Sequence, residues 1–283
     1  MGKMSVAPSR PRSLPGVLAW AELPLACCAF GVFFCALVTV FLWARQDDFV
    51  MRQIVTISKA NELRGLAKFR RLMSVTRTLM LPRLDFYGRQ ALPEPSGFLP
   101  RAPSEALLTA QGACGDFALV FTRLLQVSGE RAKLMQMICR NGTSCHVITE
   151  VDLNGKWIVM DSILNFSPTD RQGNPLSADE VRKDWSHVKL ELLPPPHLHR
   201  KYDYQRVIGT NWNKFGAVSR ALYSVLRAIG MSDLDGFSLR SYVLNPYWAV
   251  FFGLLAIGGL VFPLWIRRIQ RKYGAPSNSA PAD

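Results

Sequence analysis

The chain has 283 residues, 49% of them hydrophobic, and carries 34 Lys and Arg against 21 Asp and Glu, a formal net charge of +13. That length suits one globular domain with additions. Nucleic acid is excluded as a partner because no recognition motif accompanies the basic charge, and a structural metal is excluded because no pair of the six cysteines has zinc-site spacing with histidines.

Residues 1–24 form a basic tail with Lys3, Arg10 and Arg12, and its first 17 or so positions are rich in Pro and Ser and expected to be disordered. Residues 25–44 are twenty positions without a charge, and residues 247–266 are twenty more. Each is long enough to cross a hydrocarbon core of about 30 Å as a helix. Trp43, Tyr247, Trp248 and Trp265 stand at the ends of these runs, where aromatic rings favour the interface. The first run is longer than a signal-peptide core and no small-x-small site follows it, so it reads as an uncleaved anchor. Arg267, Arg268, Arg271 and Lys272 follow the second run, in a tail spanning 267–283. Basic flanks outside both runs place both termini in the cytoplasm and residues 45–246 on the far side, periplasmic or extracellular. That middle segment keeps 27 basic and 19 acidic residues. It is suited to a surface of anionic lipid or envelope glycan.

Residues 45–103 read as a juxtamembrane helix and a Pro-rich connector. Val50, Ile54, Ile57, Leu63, Leu66, Phe69 and Leu72 recur at helical spacing from about Asp48 to Leu79, opposite a basic, solvated face of Lys68, Arg70, Arg71 and Arg77. Five prolines between Leu81 and Pro103 point to a stiff connector without regular structure. A domain is expected over residues 104–246. Ser104 reads as the cap of a short helix ending near Ala110. Beyond residue 161 a loop leads to Ser177, a helix cap, and a strand follows at 188–193. His197 and His199 read as loop histidines without a third ligand. Residues 203–215 read equally as a cleft wall or a surface loop, and 216–230 as a helix.

The chemistry concentrates between Gly112 and Asp161. Gly112, Ala113 and Gly115 surround Cys114 at the start of a helix whose apolar residues are Phe117, Leu119, Val120, Leu124 and Leu125. Unpaired N–H groups there favour a thiolate and can bind an oxyanion. Strands follow at about 132–138, 145–151 and 156–161. Asn154-Gly155 signals a two-residue hairpin, so Leu153 faces Lys156 and Ile148 faces Asp161. His146 then lies on one face with Asp161, at a diagonal distance of about 7–8 Å. Glu150 shares that face but stands about 13 Å along the strand from His146. Asp161 is therefore the expected partner of the histidine.

GACGDFALVFTRLL, CHVITEV and NGKWIVMDS together resemble the transglutaminase-like superfamily, whose chemistry is that of papain-type thiol proteases. The resemblance implies an α+β fold, a nucleophile helix packed on an antiparallel sheet, set between two transmembrane helices. It also implies a catalytic triad of Cys114, His146 and Asp161, with Gln111, Gly112 and Gly115 as candidates for the oxyanion hole or substrate contacts. No cofactor is expected. The substrate class is an amide or peptide bond in a peptide or protein, cleaved through a thioester by water or transferred to an amine. The alternative is a non-catalytic docking module in envelope or polysaccharide assembly, with a polysaccharide or peptidoglycan-associated partner. Cys139 and Cys145, flanking Asn141-Gly142 in an oxidising compartment, are expected to pair as a disulfide.

Overall fold

The computed structural model describes residues 16–87, 101–110, 113–138, 144–187, 206–210, 218–228, 230 and 236–273. The chain divides into two compact units. One holds the chain up to Leu42 and from Phe251 onward, and the other runs from Trp43 to Val250.

The first unit is built from two long helices. Helix α1 (Gly16–Ile57) and the C-terminal helix α8 (Pro246–Tyr273) each contain a stretch long and apolar enough to cross a membrane. Within this unit Phe30 packs tilted against Phe262 and Phe41 against Phe251, with ring centroids 5.6 and 5.5 Å apart. Gly258 leaves room for the Phe33 ring, since a Cβ there would lie 2.8 Å from it.

The second unit packs helices on a sheet. Helix α1 ends at Ile57, a short 3-10 turn covers Ala60–Glu62, and α2 runs over Gly65–Tyr87. Lys59 and Gly65 both have positive φ and turn the chain between the helices. The single amphipathic helix expected over 48–79 is therefore two. Its basic face is not simply solvated. Lys68 is buried, with its ammonium 2.6 Å from Glu130 and 2.7 Å from the Ser128 carbonyl. Arg71 donates to the Ser58 carbonyl and Arg77 to the Ile163 carbonyl. Helix α2 also continues through Pro82 to Tyr87, where an irregular connector was expected. The rest of that connector, residues 88–100, lies outside the described residues.

Helix α3 (Pro103–Thr109) begins one residue before Ser104, with Ala102 at its N-cap. The Ser104 amide instead donates to Asp47 on α1. Helix α4 (Cys114–Val127) is apolar on nearly every side, and Phe117 through Thr122, Leu124 and Leu125 are all buried. It packs on an antiparallel sheet of order β3-β2-β1-β4, made of β1 (Ala132–Ile138), β2 (Ser144–Leu153), β3 (Lys156–Met160) and β4 (Val207–Ile208). The larger core cluster joins α4, β1, β2 and β3 to Met51 and Val55 of α1 and to Phe69, Leu72, Met73 and Met80 of α2. A smaller cluster on the other face holds Met135, Met137, Ile148, Val159, Leu176 and Val181.

Asn154 and Gly155, both at positive φ, form the expected two-residue hairpin, and Leu153 pairs with Lys156. Strand β4 lies within the stretch expected to be a cleft wall or loop. Two residues pairing with β1 carry no periodicity of their own. Helix α5 (Ala178–Lys183) starts at the expected cap, with Ser177 and Glu180 in a reciprocal capping box. Helices α6 (Val218–Ala228) and α7 (Leu239–Tyr242) precede α8. The expected strand at 188–193 and His197 and His199 lie outside the described residues.

Candidate active site

The thiol sits at the first residue of α4, half-buried, behind a strained approach. Ala110 and Ala113 both have positive φ, at 48° and 45°, although neither is glycine. A residue with a Cβ in such a conformation costs about 1–3 kcal/mol, and this cost is incurred on both sides of residues 111–112. Gln111 and Gly112, two of the oxyanion candidates, lie outside the described residues. Gly115, the third, follows Cys114 in the first turn. A Cβ there would meet nothing within 4 Å, so the space above it is open.

His146 lies on β2 and is 1% exposed. Its Nε2 is 2.7 Å from Oδ2 of Asp161, and both side chains are sealed from solvent. The hairpin register brings this about: Thr149 faces Met160 in the last pair of the ladder, so Asp161 follows level with Ile148, and His146 is two residues from Ile148 on the same face. Asp161 is itself held. Its Oδ1 accepts from the Leu164 amide at 3.2 Å, and its backbone exchanges hydrogen bonds with Phe166. Glu150, the other acidic residue on that face, is buried and 3.0 Å from Lys133, its direct cross-strand partner.

With Nε2 given to Asp161, Nδ1 is the ring nitrogen left for the thiol. Burial disfavours charge on His146 and is the largest single influence. Asp161 and Cys114 together outweigh it and raise the pKa to about 9. For Cys114 burial again opposes ionisation. The hydrogen bond from His146, the imidazolium charge and the Val147 amide overcome it, and the thiol pKa falls below its ordinary value. Both shifts favour the same species, a thiolate beside an imidazolium. Around it lie Arg101, 3.2 Å from Asp116 in the first turn of α4, and Arg240, which interacts electrostatically with Asp116 and Cys114.

Three features that hold the site were not visible in the sequence. The Thr122 and Thr149 hydroxyls meet at 2.9 Å inside the core and fix α4 against the strand that carries His146. The Val147 amide helps to lower the Cys114 pKa. Arg77 holds the Ile163 carbonyl in the turn after Asp161. None of these belongs to a local motif, and each spans two separate elements. Cys145 is disulfide-bonded; its expected partner, Cys139, lies outside the described residues. Cys27, Cys28, Cys35 and Cys114 are free thiols. Among the described residues no group of three or more His, Cys, Asp or Glu side chains is placed to hold a metal ion.

A helix bearing a thiol, packed on an antiparallel sheet bearing a buried His–Asp pair, is the architecture of a transglutaminase-like domain. Residues 58–174 match the family model described as a transglutaminase-like domain. The matched segment includes Cys114, His146 and Asp161. A UPF0252 protein of Archaeoglobus fulgidus is 27% identical over 92 residues, covering 32% of this chain and 29% of the relative. The chain therefore aligns with less than a third of that relative's length. No solved structure matches the chain.

Proposed function

We propose that this is a membrane-tethered cysteine enzyme that acts on amide or peptide bonds, with hydrolysis as its reaction. The observation that carries the reading is the buried His146–Asp161 pair at 2.7 Å, set against a thiol whose pKa is lowered. Cys114 is the nucleophile. Its thiolate attacks the substrate carbonyl carbon, and the carbonyl electrons move onto oxygen. The free N–H groups at the start of α4 are the donors available to that oxyanion, since the first turn of a helix leaves them without internal partners.

Collapse of the tetrahedral species breaks the C–N bond. The His146 imidazolium gives its proton to the departing amine, leaving a thioester on Cys114 and a neutral imidazole. Neutral His146 then takes a proton from water as it attacks the thioester, and a carboxylic acid leaves as the thiolate is restored. An amine in place of that water would give transamidation through the same residues. Asp161 keeps the ring in the tautomer that presents Nδ1 to sulfur and stabilises the imidazolium.

Two apolar helices support tethering, and the basic residues outside both support cytoplasmic termini with the domain on the opposite side. The excess of basic residues in 45–246 supports a negatively charged neighbour there, such as envelope glycan. Profiling of envelope peptides in cells carrying the wild-type protein or Cys114→Ala tests the reading. Peptides that accumulate uncleaved only with Cys114→Ala would support hydrolysis. Identical peptide pools, with the variant protein folded and present, would refute it.

A further inference from the structure

Helix α6 (Val218–Ala228) stands apart from the catalytic arrangement. At about 100° per residue, positions 218, 221, 222, 225, 226 and 228 fall within one arc of about 160°, and positions 220 and 227 fall opposite. The arc carries Val, Ala, Leu, Val, Leu and Ala, and the opposite side carries two arginines. A helix with this pattern ordinarily buries its apolar side on the domain core. Here Val225, near the centre of the arc, is 58% exposed, Ala221 and Ala228 are exposed beside it, and Leu226 at the edge of the arc is half-buried.

Charge says what such a face fits. From Tyr204 to Ser232 the sequence holds Arg206, Lys214, Arg220 and Arg227 and has no Asp or Glu at all. Trp212, Phe215 and Tyr223 are interspersed, residue types that settle at a lipid interface. A membrane is also always close in sequence terms, since the second apolar helix begins at Pro246, 18 positions after Ala228. That tether raises the effective concentration of lipid at α6 far above that of any free protein partner.

We propose that α6 is an interfacial helix that lays its apolar arc into the surface of the membrane the chain crosses, with anionic headgroups strengthening the contact. The weak apolar content of eleven residues makes binding depend on headgroup charge. The idea rests on the proposed membrane tether but not on Cys114 chemistry, so it fails or stands separately from the enzyme reading.

The test uses the full chain in nanodiscs of phosphatidylcholine, with and without phosphatidylglycerol. Amide exchange over 218–228 is expected to slow at least fivefold when the anionic lipid is present. Val225→Glu, at an exposed position that leaves the core intact, is expected to abolish that difference. A photoreactive residue placed at 225 in the otherwise native chain is expected to capture lipid. Equal exchange in both discs, or capture of protein instead of lipid at 225, overturns the proposal.

Discussion

Cys114 and His146 change protonation as a pair, and the sign of each shift sets the pH behaviour. The folded-state pKa of His146 is raised from 6.5 to about 9. Its contribution to stability is thus complete below about 6.5 and lost as pH rises through about 9. Cys114 is shifted down, so its contribution is complete above its ordinary value and is lost as pH falls through the lowered one. The thiolate–imidazolium pair therefore occupies the window between, and turnover is expected to fall on the alkaline side with a midpoint near pH 9. A rate profile that stays flat beyond pH 10 would contradict that assignment. Cys114→Ala and His146→Ala are each expected to abolish turnover, and the double variant to be no worse, because the groups act as a unit. Asp161→Asn should be severe but milder. Glu150→Gln should keep most of its rate per folded molecule and lose about 1–3 kcal/mol of stability, because it leaves half-buried Lys133 without its carboxylate. Ala113 gives a separate test of strain. Ala113→Val at φ 45° is expected to destabilise by about 2 kcal/mol, and Ala113→Gly to be neutral or slightly stabilising, as read by denaturant melting.

Elements explain why some of this was legible in the sequence and some was not. Asn154-Gly155 dictates a hairpin by local turn chemistry, and once the turn is set, strand periodicity fixes every pair up to His146 and Asp161. Ser177 and Glu180 announce a helix start in the same local way. The break between α1 and α2 was hidden because Lys59 adopts a positive φ that no sequence signal marks. Lys68 looked like an exposed cation because its partner, Glu130, is 62 positions away. The same holds for Thr122 and Thr149, whose hydroxyl pair is a contact between elements. Thr149→Val removes it while keeping the shape and leaves the Thr122 hydroxyl with a backbone carbonyl as its remaining option. A loss of about 1–2 kcal/mol is expected, with Cys114 alkylation slowed as α4 shifts against His146. Unchanged stability and unchanged alkylation would mean that the pair does not position the helix.

For the whole molecule, the unit from Trp43 to Val250 takes in the end of α1 and the start of α8 together with the domain that carries Cys114. Asp48 on α1 accepts from Asn245 and from the Trp248 indole, each at 3.0 Å, and pairs with Arg123 on α4. Ala44, Met51, Val55, Phe69, Leu72 and Met80 are all 2% exposed or less. Each of these Met, Val, Phe and Leu side chains contributes about 1.5–3 kcal/mol, and a whole domain is stable by only about 5–15 kcal/mol. A fragment of residues 104–246 is therefore expected to be unfolded, while one of residues 43–250 should give cooperative melting. Circular dichroism of the two fragments checks this, and a well-folded 104–246 would contradict it. Reporter fusions check the topology: a cytoplasm-dependent reporter should work after residue 283 and fail at residue 170.

The central claim is that His146 makes Cys114 a thiolate, and alkylation kinetics of the full chain test it without knowledge of the substrate. Iodoacetamide labelling of Cys114, followed by peptide mass spectrometry across pH, should outpace Cys27, Cys28 and Cys35 near neutrality and show an apparent pKa below that of an ordinary thiol. In His146→Ala the same cysteine should slow and titrate higher than in the wild type, because burial and the Asp161 charge then oppose ionisation with the Val147 amide against them. Labelling of Cys114 no faster than the other free thiols, or a titration that does not move when His146 is removed, would contradict the account.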